Sequence, residues 1–223
     1  MDKAPYELFE LQMPDMYGED VGPGGSGGFE PMWPSPLSHG FRALARGNLF
    51  IAILAPPQVQ TKILDVAIHD CHIYSLAGHF VPLECLHISL AGIVEFESEL
   101  PPVEYVEAAM YVAGRIQIQP FEVTLDRTAN FSGRDGRSPY VLTVGYGKDK
   151  VTELHLLLAM QLRKMGIRFR SSYNPHVTML YDRVRPPPHE IAPISWSVGE
   201  FALVHSHVGQ SRYTVLKRWP LVR

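Results

Sequence analysis

The 223-residue sequence contains only two cysteines, Cys71 and Cys85, and no run of about 18 uninterrupted apolar residues. Two cysteines form neither a disulfide framework nor a zinc ribbon, which favours a reducing compartment. The acidic start, with Asp2, Glu7 and Glu10, has neither the basic nor the apolar part of a secretory signal. We therefore expect a cytoplasmic protein without a membrane span.

Composition and length are those of a globular chain: 46% of the residues are hydrophobic and 19% are charged. The first 40 residues hold seven acidic residues against one lysine, although the whole chain has a net charge of only −3. Glycine and proline are concentrated between positions 21 and 36, where no apolar periodicity is found. The sequence predicts a flexible, acidic, Gly/Pro-rich extension over residues 1–45 and one two-lobed domain over 46–223.

Apolar runs of strand length alternate with amphipathic stretches along the domain, and no glycine-rich nucleotide loop joins them. This order favours an α+β fold. Helices are predicted from Pro57 to before Gly78, over 103–114, and over 150–164 with Gly166 as the cap; strands are predicted over 48–54, 86–90, 121–125, 140–144, 176–180 and 212–216, with a further long segment over 194–208.

One short motif occurs twice. His87-Ile88-Ser89 and His176-Val177-Thr178 both place a β-branched residue between a histidine and a hydroxyl residue, inside an alternating strand. Residues i and i+2 of a strand share a face, so each imidazole is expected beside its hydroxyl, with Ile88 and Val177 turned into the core. A single pair of this kind is usually a solvent-facing polar pair, but two copies on strands are much less expected by accident.

An imidazole beside a hydroxyl suits chemistry at a phosphate. The hydroxyl binds a non-bridging oxygen, while the imidazole transfers a proton to or from a bridging oxygen or a water. Two such strands around one phosphorus would supply the base and the acid that in-line displacement needs. Spacing alone does not identify the reaction.

The sequence around both motifs resembles the two-histidine (2H) phosphoesterases, specifically the LigT-like RNA 2′,3′-cyclic phosphodiesterases, also called 2′-5′ RNA ligases. The resemblance covers residues 47–221. It is carried by the segments Leu86-His87-Ile88-Ser89-Leu90 and Asn174-Pro175-His176-Val177-Thr178-Met179-Leu180, by the first strand 48–53, and by the C-terminal segment from Ile194 to Leu221.

The resemblance implies a bilobal α+β fold in which two pseudo-symmetric lobes of antiparallel sheet, with helices outside, each supply one motif strand to a central cleft. It implies metal-independent hydrolysis of 2′,3′-cyclic phosphate ends of RNA or of cyclic nucleotides to 2′-phosphomonoesters, without a cofactor or an obligate protein partner. Reversible 2′-5′ ligation is left open. His87 and His176 are the implied acid and base, and Ser89 and Thr178 the implied phosphate-binding hydroxyls.

The sequence departs from the family pattern at three places. Ser89 replaces the commoner threonine and keeps the hydroxyl, and Leu90-Ala91-Gly92 replaces a Phe-Leu-Gly sequence. Tyr181 stands where several relatives have an arginine; it can bind phosphate or stack on a base but adds no charge. Tyr181 and Arg183 (or Arg185) are therefore candidate substrate contacts. Phe50 is a further candidate: core packing is its simplest interpretation, but the family often places aromatic residues of this strand near the bound base.

Several other patterns have simpler interpretations. His69, Cys71, His72 and His79 have no established zinc spacing, so we expect surface histidines on a helix. His205 and His207 are expected on a strand surface. The basic residues between Arg163 and Arg185 are typical of a helix end and its following loop, although they could also attract RNA.

Three other functions are alternatives to this one. The same chemistry could act on another cyclic phosphate or a 2′-5′ linkage, because the motifs specify phosphorus rather than a base. A module that only binds phosphate or RNA ends would not need two proton-transferring groups. A metal-dependent hydrolase would need carboxylates beside the histidines, and neither motif strand has one.

Overall fold

A computed structural model describes residues 47–133, 136–167 and 173–222. The predicted extension over residues 1–45 lies outside the described residues. Within these ranges the fold is α+β, as predicted. The elements are β1 (Gly47–Leu54), α1 (Pro57–Tyr74), β2 (His79–Phe80), a 3₁₀ helix (Leu83–Cys85), β3 (His87–Phe96), α2 (Val103–Ala113), β4 (Phe121–Asn130), β5 (Ser138–Val144), α3 (Lys148–Lys164), β6 (His176–Asp182), β7 (Glu190–Val198), β8 (Glu200–His207) and β9 (Arg212–Pro220).

The strands form one antiparallel sheet in the order β7-β4-β5-β6-β3-β1-β8-β9, and β2 pairs with β6 beside this path. The central strands β3 and β6 are joined by a single residue pair, Ile88 with Val177. This narrow junction divides the sheet into two halves of four strands. We call β3-β1-β8-β9 the first lobe and β6-β5-β4-β7 the second lobe. The predicted two-lobed antiparallel architecture is confirmed, with one motif strand at the inner edge of each lobe.

The main core lies between the helices and one face of the sheet. Alternate residues of β1, namely Leu49, Ile51 and Ile53, are at most 2% exposed and belong to this core. From the other side, α3 contributes Leu154 and Leu158, which are fully buried. Each such side chain contributes about 1.5–3 kcal/mol by leaving water. The helices therefore cover one face of the sheet, and the opposite face is available for a functional site.

The helix ends follow the predicted signals with one exception. Pro57 opens α1, and α3 ends before Gly166, which has a φ of 81°. However, α1 ends at Tyr74, before Gly78, and its C-cap residue Ser75 takes the left-handed conformation with a φ of 54°. Gly78 has a different role: a Cβ there would lie 2.1 Å from the Tyr181 carbonyl oxygen, so glycine is needed for close approach to β6.

Two details differ from the predictions. The segment predicted over 194–208 is two strands, β7 and β8, separated at Gly199. His205 is only 2% exposed, so its prediction as a surface residue is wrong. It alternates in register with the core residues Phe201 and Leu203 and packs against Phe96, with ring centroids 5.2 Å apart. None of the three helices in the described part of the chain is long and apolar enough to cross a membrane.

Candidate active site

The two motifs meet at the junction between the lobes. His87 is the first residue of β3 and His176 is the first residue of β6. Ile88 and Val177 pair across this junction and are both fully buried, as predicted. Because the strands are antiparallel, this register sets His87 across from Thr178 and Ser89 across from His176. All four predicted polar residues therefore lie on the face opposite the main core.

The orientation of the His87 ring is fixed by two hydrogen bonds. Its Nδ1 donates to the carbonyl oxygen of Cys85 at 2.8 Å, because a carbonyl can only accept. In the neutral ring, Nε2 then carries the free lone pair. The hydroxyl of Ser89 lies 2.9 Å from Nε2 and donates to it. The predicted pairing of imidazole and hydroxyl is thus present in the first lobe, with Nε2 facing the site.

His176 repeats this arrangement in the second lobe. Its Nδ1 donates to the carbonyl oxygen of Asn174 at 2.7 Å, again two residues earlier in the chain. The same tautomer follows, with a free lone pair on Nε2. In both lobes the backbone of the segment that leads into the motif strand therefore holds the imidazole.

Aromatic rings surround both histidines. Phe50 and Tyr213 lie 4.9 Å and 5.5 Å from the His87 ring, measured between centroids. Phe131 lies 4.5 Å from His176 in an edge-on arrangement. Sequence reasoning placed Phe50 near the site but assigned no role to Phe131 or Tyr213. No local pattern marks these two, since Phe131 follows β4 and Tyr213 lies on β9, far from either motif in the chain.

Burial lowers the pKa of both imidazoles. The pKa of His87 falls to about 4, mainly through desolvation; the bond to the Cys85 carbonyl opposes this shift, and nearby His176 adds to it. The pKa of His176 is also lowered by desolvation and partly restored by the bond to the Asn174 carbonyl. The influence of His176 on the pKa of His87 is consistent with the register of β3 and β6, which puts both rings on one face of the junction.

The other predicted contact residues border a cavity next to the second motif. Tyr181 and Arg183 line a cavity of about 700 Å³. The pKa of Tyr181 is raised by burial, and the nearby Thr178 hydroxyl acts in the opposite direction. The Tyr181 side chain thus connects the motif to the cavity. Phe50 is on the other side, against His87.

The other candidate histidine and cysteine residues lie outside the two motifs, although Cys85 and His79 are close to the site. His69 and His72 are exposed on α1, as predicted. His79 is also exposed, but it lies on strand β2, so its predicted place on a helix is wrong. In the described ranges, no group of three or more His, Cys, Asp or Glu residues could hold a metal ion. Cys85 is next to His87 in space, but burial raises the pKa of its thiol to about 11, so it stays protonated at neutral pH.

The basic cluster is only partly described. Arg163 and Lys164 are exposed at the end of α3, and Arg185 donates to the Phe131 carbonyl at 3.4 Å. Arg168 and Arg170 lie outside the described residues.

Comparison with known proteins agrees with this architecture. The model of the 2′-5′ RNA ligase superfamily matches residues 64–210. The chain is 32% identical over 187 residues to the RNA 2′,3′-cyclic phosphodiesterase of Escherichia coli strain K12, a match that spans 79% of this chain and 97% of the relative.

Two crystal structures of E. coli LigT have folds similar to that of this chain. The complex with phosphate has a TM-score of 0.62 and 29% identity, and the complex with 3′-AMP has a TM-score of 0.61 and 28% identity. Each alignment covers 79% of this chain and 98% of the other. The motifs, the two-lobed sheet and these matches together place the chain in the 2′-5′ RNA ligase superfamily of two-histidine phosphoesterases.

Proposed function

We propose that this protein hydrolyses 2′,3′-cyclic phosphate ends of RNA to 2′-phosphomonoesters, with His87 and His176 as the proton-transferring pair. The observation that carries the proposal is the matched anchoring of the two rings: each Nδ1 donates to a carbonyl two residues earlier, so Nε2 is the atom of each ring that can take up a proton. In the first lobe the Ser89 hydroxyl is the hydrogen-bond partner of that atom. The activity is that named for the E. coli relative. It is the function predicted from the sequence.

In the proposed reaction, a water molecule attacks phosphorus opposite the 3′-oxygen. His176 Nε2 accepts a proton from that water as the new P–O bond forms. The bond between phosphorus and the 3′-oxygen breaks, and protonated His87 gives its proton to that oxygen. The products are a free 3′-hydroxyl and a 2′-phosphomonoester. No metal ion is required, because the two imidazoles supply both proton transfers.

The substrate itself supports the protonation state that this reaction needs. Both pKa values are lowered in the free protein, so both rings are neutral near pH 7. A cyclic phosphate is an anion, and an opposite charge nearby raises the pKa of an imidazole. Binding therefore favours uptake of one proton by the pair, and the second ring stays neutral as the base.

The surrounding residues have separate proposed roles. Ser89 and Thr178 donate to the non-bridging phosphate oxygens, which holds phosphorus between the two rings. Phe50 offers an apolar ring beside His87 for the terminal base. Tyr181 and Arg183 contact the substrate on the Thr178 side. The cytoplasmic location remains a prediction that rests on the cysteine content.

The test is the identity of the product. The purified protein is incubated with RNA ending in a 2′,3′-cyclic phosphate, with EDTA present, and the product is identified by ³¹P NMR. We expect a 2′-phosphomonoester at an unchanged rate after chelation. Binding without turnover would instead indicate a phosphate- or RNA-end-binding module. Activity lost on chelation and restored by one divalent ion would indicate a metal-dependent hydrolase.

A further inference from the structure

Two consecutive carbonyls of the first motif strand, β3, accept hydrogen bonds from side chains outside that strand. The hydroxyl of Tyr173 donates to the Ser89 carbonyl at 2.8 Å. His155 Nδ1 donates to the Leu90 carbonyl at 2.6 Å, because a carbonyl can only accept. The pairing of β3 with β1 is interrupted at this point, since it passes from Ser89 to Ala91 and skips Leu90. The two side chains therefore hold the strand where its ladder is irregular, directly after the motif.

The second lobe satisfies the equivalent carbonyl with the backbone. Met179 stands three residues beyond His176, as Leu90 stands three residues beyond His87. The Met179 carbonyl accepts from the amide of Val81 at 2.8 Å. At this position the second lobe needs no side chain as a donor, whereas the first lobe depends on His155.

Tyr173 and His155 form one packed unit. Their rings are stacked, with centroids 3.8 Å apart and planes inclined by only 6°. His155 is 6% exposed and lies on α3 beside the core residue Leu154. Burial raises the pKa of Tyr173, so its hydroxyl keeps its proton at neutral pH and remains a donor. A ring that is fixed in the core thus orients the phenol towards β3.

Tyr173 lies between the anchors of the two motif histidines. It precedes Asn174, whose carbonyl accepts from His176 Nδ1. The hydrogen bond of Tyr173 itself ends on Ser89, and the hydroxyl of Ser89 contacts His87 Nε2. One bond therefore connects the segment that holds the His176 ring with the residue that contacts the His87 ring.

The junction between the lobes gives this bond its mechanical importance. In the described sheet, β3 and β6 share a single residue pair, Ile88 with Val177. One pair sets the separation of two strands at that point but constrains the angle between them less. The bond from Tyr173 to Ser89 joins the same two segments at a second point, which constrains that angle and the separation of the two imidazoles.

We infer that Tyr173 is a positioning residue, which holds the two motif histidines in the relative placement that the transfer of both protons requires. His155 supports Tyr173 from α3 by stacking and by holding the next carbonyl of β3. The inference rests on the proposed function for its catalytic readout. Because Tyr173 acts through Ser89 and Asn174, its hydroxyl should matter more for the rate of reaction than for binding of the substrate.

The kinetic test uses Tyr173→Phe, which keeps the stacked ring and removes only the hydroxyl. On an RNA with a 2′,3′-cyclic phosphate end, kcat should fall about 10–100-fold, since a misplacement of about 1 Å costs up to about 10²-fold. KM should change less than about threefold. The matched control is Tyr140→Phe, which removes the bond of another buried tyrosine hydroxyl, 2.7 Å from Asp70, and should keep the wild-type kcat.

An unchanged kcat in Tyr173→Phe would overturn the inference and leave the proposed function intact. A loss of kcat that Tyr140→Phe matches would also overturn it, because the effect would then follow from lower stability alone. A raised KM with an unchanged kcat would assign Tyr173 to substrate binding and would likewise contradict a positioning role.

Amide hydrogen exchange, followed by mass spectrometry, tests the connection between the motifs without turnover. Peptides that cover 84–94 and 173–182 report on β3 and β6. In Tyr173→Phe, exchange should be about two- to tenfold faster in both peptides, because a lost hydrogen bond makes local opening easier. Tyr146→Phe, at a tyrosine that is 69% exposed, should leave both rates unchanged. Unchanged exchange in either peptide of Tyr173→Phe would overturn the inference, even if the protein hydrolyses no cyclic phosphate.

Discussion

Gly92 and Tyr181 occupy equivalent positions in the two lobes, each five residues beyond its motif histidine. In β3 the pairing with β1 skips Leu90, and in β6 the pairing with β5 skips Met179, so each strand has a bulge three residues after the histidine. Because of this extra residue, the side chain five residues beyond the histidine lies on the same face of the strand as the histidine. One lobe is open there, since no atom of the described residues lies within 4 Å of a Cβ added at Gly92, whereas the other lobe carries a tyrosine. Two similar lobes thus form an asymmetric substrate site.

The two hydroxyls should affect binding of the phosphate more than the proton transfers. Ser89→Ala and Thr178→Ala each remove a hydrogen bond to a charged group, worth about 1.5–3 kcal/mol, which lowers kcat/KM by about 10–100-fold. Steady-state kinetics on a cyclic-phosphate RNA measures this. Ser98→Ala is the control, because that hydroxyl is exposed and donates only to the nearby Leu100 carbonyl. An effect of Thr178→Ala no larger than that of Ser98→Ala would remove Thr178 from the phosphate site.

The pH dependence should differ between the free and the substrate-bound protein. The active form carries one proton on the histidine pair, and both pKa values lie below the ordinary 6.5, that of His87 at about 4. In the free protein that proton is lost as the pH rises through the higher of the two pKa values of the histidine pair. The value of kcat/KM should therefore be greatest below pH 6.5. The bound anion raises the pKa, so the alkaline limb of kcat should lie at higher pH. If the alkaline limbs of kcat/KM and kcat both lay at the same pH, at 7 or above, this assignment would be contradicted.

The parts of the site that depend on local alternation could be predicted from the sequence. Period two put Ile88 and Val177 in the core and both histidines on the other face, and the structure agrees. The bulge at Met179 could not be predicted, because no residue type specifies it; without it, Tyr181 would lie on the opposite face from His176.

Contacts between segments that are distant in the chain could not be predicted from the sequence either. Phe131 contacts His176 from the end of β4. His205 lies on a strand, as predicted, but its side chain is buried. Its position in β8 alternates in step with Phe201 and Leu203, so it lies on the face of the strand that packs against the main core. Whether a strand residue is buried or exposed depends on which face of the sheet the helices cover, and the sequence of a single segment does not specify this.

A buried polar network away from the site should contribute to stability only. The Tyr140 hydroxyl donates to Asp70 Oδ2 at 2.7 Å, and the two residues are 0% and 1% exposed. Tyr140→Phe leaves that carboxylate oxygen without this donor and should lower the free energy of unfolding by about 1–3 kcal/mol in urea denaturation. Tyr146→Phe, at a tyrosine that is 69% exposed, should change it by less than about 0.5 kcal/mol. Equal unfolding free energies for the two variants would show that the bond is not stabilising.

The central claim is that His87 and His176 together transfer the protons, and the most direct measurement is kcat for the alanine variants on a cyclic-phosphate RNA with EDTA present. Each single variant should lose about 10²–10⁴ in rate, and the double variant should lose less than the product of the two, because the pair acts as a unit. His69→Ala, which removes an exposed histidine of α1, should keep the wild-type rate. A folded His176→Ala protein with wild-type kcat on every cyclic phosphate tested would contradict the mechanism.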